Sequence, residues 1–222
     1  MRVPLGAKSV DDLLGGGFEG GCITLLFGEA GSGKTNVCLQ LARNVVRAGK
    51  KAIYIDTEGV SMERLEQMCG DDFEVVAKNI LFTEPYSFDE QDVLIEKAVR
   101  ITETSPEVGL IVIDSATMHY RLTLREEARR DDLQALARQI GKLMRVSRKV
   151  GIPVIATSQV YTDIETGRFL PLGGHMLQHS AKTIVELSKS GPSSRVARLV
   201  KHRSAEEGRS AKFRLTAQGV EG

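Results

Sequence analysis

Gly28-Glu29-Ala30-Gly31-Ser32-Gly33-Lys34-Thr35 decides the reading of this chain. It matches G-x-x-x-x-G-K-[ST], the phosphate-binding loop of nucleotide triphosphatases. The apolar, β-prone run Cys22-Ile23-Thr24-Leu25-Leu26-Phe27 precedes it, and the helix-like run Val37-Cys38-Leu39-Gln40-Leu41-Ala42 follows. The motif thus stands between a strand and a helix start, where its mechanism needs it. Gly28, Gly31 and Gly33 let the backbone turn its N–H groups inward around an anion. The helix start points its positive end at the same place. Lys34 is placed to reach the β- and γ-phosphates, and Thr35 to offer a hydroxyl to Mg²⁺. Glu29, Ala30, Ser32 and Asn36 complete the expected nucleotide contact.

Outward from the loop, strand and helix patterns alternate, which implies a parallel α/β sheet. Helices are expected over 34–48, closed by Gly49, over 61–68 with Ser61 as N-cap, over 88–104 and over 131–150. Val93, Ala98 and Ile101 are among the apolar positions of the third, and Leu133, Leu136, Ala137, Ile140, Leu143, Met144 and Val150 set the period of the fourth. Strands are expected over 51–56, 79–83, 109–114 and 153–158. The run 109–114 is apolar until its last residue, so it belongs in the middle of the sheet with both faces covered. Beyond Ser158 the helices thin out, and 183–187, 196–200 and 212–215 predict an antiparallel meander along one edge. Residues 1–21 are short, Gly-rich and turn-like, with no room for a separate N-terminal domain. The whole chain, 1–222, is expected to form a single core domain.

The bulk properties exclude more than they select. Hydrophobic residues make up 41% and charged residues 27% of 222, as in ordinary globular chains, and the net charge of +1 gives no overall pull toward nucleic acid or membrane. Any basic surface must be local. Cys22, Cys38 and Cys69 are far apart and odd in number, which favours free thiols in a reducing cytosol. No run approaches the length of a membrane span.

Five further positions carry candidate chemistry. Asp114 ends the central strand, expected beside the phosphate loop, where an acid holds Mg²⁺ with Thr35. Glu58, in Asp56-Thr57-Glu58-Gly59, lies at the ligand edge of a parallel sheet and is suited to deprotonate water. Gln159 follows the strand ending at Ser158 and is suited to sense a γ-phosphate and report its loss to the next loop. Lys201 and Arg203 end an edge strand and are candidates to act on a nucleotide held by a neighbouring subunit. Two loops suit a polymer ligand. Met118 to Arg130 carries Arg121, Arg125, Arg129 and Arg130, diluted by Glu126, Glu127, Asp131 and Asp132. Tyr161 to Leu172 carries Arg168. Arginines and aromatics on such loops suit phosphate contact and base stacking. His175 and His179 are spaced i, i+4 with no carboxylate to complete a metal set.

Leu13-Leu14-Gly15-Gly16-Gly17, the loop 28–35, Tyr54-Ile55-Asp56-Thr57-Glu58-Gly59, Ile111-Val112-Ile113-Asp114-Ser115, Ser158-Gln159-Val160 and Leu172-Gly173-Gly174 occur in one order. In that order the chain resembles the RecA/RadA recombinase family over nearly its whole length, and within it the short archaeal RadB branch. The resemblance implies a RecA-like P-loop NTPase fold, mainly parallel and flanked by helices, with ATP and Mg²⁺ as ligands. It implies Lys34 and Thr35 as phosphate and Mg²⁺ residues, Glu58 as the catalytic carboxylate, Asp114 as the Walker-B acid and Gln159 as the γ-phosphate sensor. The loops after Ser115 and Gln159 match the family's two DNA-binding loops. Slow ATP hydrolysis, single-stranded or branched DNA, the main RadA recombinase or other repair proteins as partners, and a chromosome-associated cytoplasmic place follow as expectations. The chain lacks the Phe-x-x-Ala linker by which recombinase subunits dock, its second loop is short, and His175 replaces the usual Asn. Lys201-His202-Arg203 is more similar to the Lys-x-Arg finger of hexameric helicases and KaiC-like ring ATPases. A ring ATPase and a nucleotide-switched protein-binding module are therefore the alternative expectations.

Overall fold

The structure, a computed structural model, describes residues 1–123, 129–163, 167 and 169–222, without the side chains of 123, 129 and 130. Its strands are β1 (Arg2–Val3), β2 (Phe18–Glu19), β3 (Ile23–Phe27), β4 (Lys51–Asp56), β5 (Ile80–Thr83), β6 (Val108–Asp114), β7 (Val154–Ser158), β8 (Val160–Thr162), β9 (Phe169–Pro171), β10 (Thr183–Lys189), β11 (Ser194–Lys201), β12 (Ser210–Thr216) and β13 (Gly219–Glu221). The helices are α1 (Lys8–Leu13), α2 (Lys34–Arg47), α3 (Met62–Cys69), α4 (Phe73–Lys78), α5 (Phe88–Thr104), α6 (Met118–Thr123), α7 (Arg129–Val150) and α8 (Gly174–Ser180).

One nine-stranded sheet organises them, in the order β13-β12-β11-β10-β3-β7-β6-β4-β5. From β5 to β10 every neighbouring pair is parallel, and from β10 to β13 every pair is antiparallel. The architecture is RecA-like, as the motif order implies. The edge differs in detail from the expected meander. β10 joins β3 in parallel, and only its far side opens the antiparallel run.

Successive side chains of a strand face opposite sides of a sheet, and the two cores follow from that. Leu26, Tyr54, Leu110 and Val112 face α1 to α4, while Leu25, Ile53, Ile111 and Ile113 face α5, α7 and α8. β6 is buried along its whole length, as its uninterrupted apolar run requires. Ser61 caps α3 by accepting from the Arg64 amide at 3.1 Å.

Three expectations are corrected. Residues 1–21 are not merely turns. β1 pairs with β2, and α1 between them is anchored by buried Val10 and Leu13 and by Asp11, whose carboxylate accepts from the amides of Leu5 and Gly6 at 2.7 and 2.9 Å. On α5 the core stripe is Phe88, Gln91, Ile95, Ala98 and Thr102, while Val93 and Ile101 are exposed. Gln91 enters the core because Gln139 accepts from its amide at 2.7 Å. Finally, β7 lies between β3 and β6, so Asp114 is not on the strand next to the phosphate loop.

Candidate functional site

The carboxyl ends of β3, β7, β6 and β4 converge, and a parallel sheet gathers its ligand-facing loops there. The loop after β3 turns through Gly31 and Gly33, at φ 73° and 102°, in the left-handed region that glycine enters without strain. It is packed from behind. A Cβ on Gly28 would stand 2.0 Å from the Leu187 oxygen of β10, and one on Gly33 would meet Leu215 of β12 at 3.4 Å. Ser32 Oγ is buried and has no hydrogen-bond partner. Lys34 Nζ folds onto the loop and donates to the carbonyls of Gly28 (2.8 Å) and Glu29 (3.2 Å). Burial holds its ammonium below the usual lysine range, against the pull of Glu58 and Asp114.

Asp114 is almost completely enclosed. Thr157, on the intervening β7, donates to Oδ1 at 2.5 Å, and the Tyr54 hydroxyl of β4 donates to Oδ2 at 2.8 Å. Burial pushes the carboxyl above its ordinary range, and the hydrogen bonds from Thr157, Thr35 and Tyr54 work against that rise. The strand that separates β3 from β6 thus braces Asp114, while Thr35 at the start of α2 bonds the same carboxylate directly. At the end of β4 the Asp56 carboxylate accepts from the amides of Glu58 (3.1 Å) and Gly59 (2.9 Å), a turn that sets Glu58 facing the site. Thr57 locks this turn to β6: its hydroxyl donates to the Ser115 oxygen at 2.9 Å and accepts from the Ser115 amide at 2.8 Å.

Gln159 Nε2 donates to Glu58 Oε1 at 3.1 Å, and Gln159 Oε1 accepts from Arg121 of α6 at 3.1 Å. Arg121, Gln159 and Glu58 form one polar chain from the first candidate polymer loop to the turn after β4. β8 and β9 pair as a small ribbon inside the second, closed by Leu172 N–H to Gln159 O at 2.8 Å. Arg125 and Arg168 lie outside the described residues, as do the side chains of Arg129 and Arg130. Lys201 donates to the Gln178 and Ala181 carbonyls at 3.0 and 2.8 Å, tying β11 to the end of α8. Arg203 reaches Glu19 at 3.4 Å.

A family model described as Rad51 matches residues 1–222. The chain belongs to the Rad51 family. Among its Rad51-family relatives, the DNA repair and recombination protein RadB of Methanococcoides burtonii is 49% identical, covering 96% of this chain and 94% of its own. The proteins of the same name from Thermoplasma acidophilum and Archaeoglobus fulgidus are 41% and 40% identical, over 99% and 100% of this chain and 93% and 98% of theirs. A crystal structure of the RadB recombinase is similar with a TM-score of 0.84 at 36% identity, covering 99% of this chain and 98% of that one.

Sequence reasoning did not find Tyr54, Thr157 or Asp56. The Tyr54 ring is fully buried in the core. No residue pattern announces that its hydroxyl meets Asp114. A Thr near the end of an apolar strand, such as Thr157, is a signal of that kind only once the strand order is known. Among the described residues no cluster of three or more His, Cys, Asp or Glu side chains is arranged to hold a metal.

Proposed function

We propose that this chain binds ATP with Mg²⁺ at the loop 28–35 and acts in DNA repair and homologous recombination, the role named for its RadB relatives. The observation that carries the reading is the convergence of Lys34, Thr35, Asp114, Glu58 and Gln159 on one loop from four strand ends. The residues fit a triphosphate: the loop is shaped around glycines, Ser32 has a buried hydroxyl with no hydrogen-bond partner, and Lys34 hydrogen-bonds only main-chain carbonyls of the loop. Mg²⁺ suits Thr35 and Asp114, since this ion keeps most of its shell as water and phosphate oxygen and needs few protein ligands. When bound it neutralises charge on the β- and γ-phosphates.

The protein's part in hydrolysis follows from placement. Loop amides and Lys34 hold the phosphates. Glu58, on its Asp56-braced turn, takes the proton of a water in line with the γ-phosphate. Gln159, already bonded to Glu58, orients that water and passes the state of the site to α6 through Arg121. Turnover is slow, in keeping with a recombinase-like site that is completed across a subunit interface. The two loops contact single-stranded or branched DNA, and the protein assists the main RadA recombinase or other repair proteins rather than exchanging strands itself. Its place is the cytoplasm, at the chromosome. No helix among the described residues is long and apolar enough to cross a membrane.

The Arg121–Gln159–Glu58 chain also favours a second reading, in which ATP acts as a switch on these loops with negligible turnover. The test compares ATP turnover, nucleotide affinity and salt-titrated DNA binding for the wild type, Lys34→Ala and Glu58→Gln. Lys34→Ala is expected to lose nucleotide, and Glu58→Gln to keep it without hydrolysis. DNA affinity is expected to fall steeply with salt. Unchanged nucleotide binding in Lys34→Ala sinks the assignment.

A further inference from the structure

Behind the phosphate loop lies a buried cation that the mechanism above does not use. Arg195, second residue of β11, is only 8% exposed. Its Nε donates to the Gly31 carbonyl at 2.9 Å, and its Nη1 donates to the carbonyls of Gly191, Pro192 and Ser194 at 3.1, 3.3 and 2.8 Å. All of these partners are neutral oxygens. No ion pair with a carboxylate accompanies them among the described residues. A guanidinium stays charged at any pH the fold survives, and a buried charge without a counter-charge is costly. Four carbonyls call on the several N–H donors of a guanidinium fork, more than the two of a neutral amide, and the fork brings a full charge with it. The site a full charge serves is the one it abuts.

The contact is with a peptide unit that matters. The Gly31 oxygen is held by Arg195, while the N–H of the same peptide, on Ser32, donates to the Glu29 carbonyl at 3.2 Å. That Glu29 oxygen is also an acceptor for Lys34 Nζ. Arg195 therefore fixes one end of a short chain that runs through the loop to its lysine.

We infer that Arg195 is a positioning residue of the phosphate loop: it locks the Gly31–Ser32 peptide and sets a permanent positive charge behind a bound polyphosphate. This rests on the reading of the loop as a nucleotide site. The charge acts through the loop, so its effect grows with the charge of the ligand, whereas a purely structural staple would weaken all ligands alike. The test titrates ATP, ADP and AMP into the full chain by calorimetry, for the wild type, Arg195→Lys, Arg195→Gln and the control Lys34→Ala, with thermal melts to establish folding. Arg195→Lys is expected to bind within about threefold of the wild type. Arg195→Gln is expected to lose on the order of tenfold for ATP, less for ADP and least for AMP. Equal losses for the three nucleotides, no loss in Arg195→Gln, or a loss in Arg195→Lys matching that in Arg195→Gln overturns the inference. If Arg195→Gln does not fold, Arg195→Lys decides: wild-type affinity sustains the inference and a loss overturns it. Identical binding by the wild type and Lys34→Ala would instead remove the nucleotide site itself, and Arg195's role with it.

Discussion

Tyr54→Phe isolates one hydrogen bond in the proposed metal site. The ring stays, with its neighbour Phe82 at a centroid distance of 5.3 Å, and only the hydroxyl that donates to Asp114 at 2.8 Å is removed. A buried hydrogen bond to a charged acceptor contributes about 1.5–3 kcal/mol. In a chain of this size each kcal/mol moves the thermal midpoint by about 2–4 °C, so the variant should melt about 3–12 °C lower. The second effect concerns the proton. Burial already raises the Asp114 carboxyl, and the Tyr54 bond is one of three that restrain it. Without that bond the carboxyl rises further, and a proton competes better with Mg²⁺. The Mg²⁺ needed to retain ATP should therefore increase more at pH 6 than at pH 8. The assays are scanning fluorimetry without ligand and Mg²⁺ titration of fluorescent ATP analogue binding at both pH values. An unchanged melting point, together with a Mg²⁺ midpoint shifted equally at the two pH values, would refute the argument that Tyr54 tunes this carboxylate.

Asp114→Asn tests the same carboxylate from the other side. Because its folded pKa is raised, ionisation in the fold is penalised, and that penalty is absent in acid, grows as pH rises through the carboxylate range and is complete above the folded value. The ligand-free variant should thus gain stability over the wild type as pH rises toward 7, while losing Mg²⁺-dependent ATP binding; paired pH-melt curves check this. Gln40→Leu should be severe. The side chain donates to the Leu5 and Val220 oxygens, each at 2.8 Å, and accepts from the Val220 amide at 2.7 Å; Asn44 still donates to Leu5, but both Val220 groups lose their Gln40 bonds, costing about 2 kcal/mol or more in a urea melt. Arg121→Ala should leave nucleotide affinity unchanged but abolish any effect of DNA on turnover, as measured by phosphate release with and without single-stranded DNA.

How much was legible follows the range of each signal. β4, α5 and β6 could be drawn closely because an apolar run or a 3.6-residue period is local to the chain. The strand–loop–helix setting of the glycine-rich loop and the strand-end positions of Glu58, Asp114 and Gln159 were legible because main-chain shape and charge at strand ends leave their mark in residue type. α1 and α4 were not, since six residues are too few to show a period. The exposure of Val93 and Ile101, the insertion of β7 between β3 and β6, and the Tyr54 and Thr157 bonds to Asp114 depend on which strands meet. Nothing within a single segment states that. Arg195 shows the limit most plainly: on its strand it is one basic residue among several, and only the folded backing of Gly31 sets it apart.

That backing has a consequence for how the molecule comes into being. Arg195 is 164 residues downstream of the Gly31 oxygen it holds, and Val220 is 180 downstream of Gln40 in the helix that the loop begins. A ribosome has therefore released every motif of the loop long before it delivers the strands that brace it. During that interval the nascent chain carries the letters of the proposed nucleotide pocket without the means to set them, and capture of nucleotide there must wait for those bracing strands.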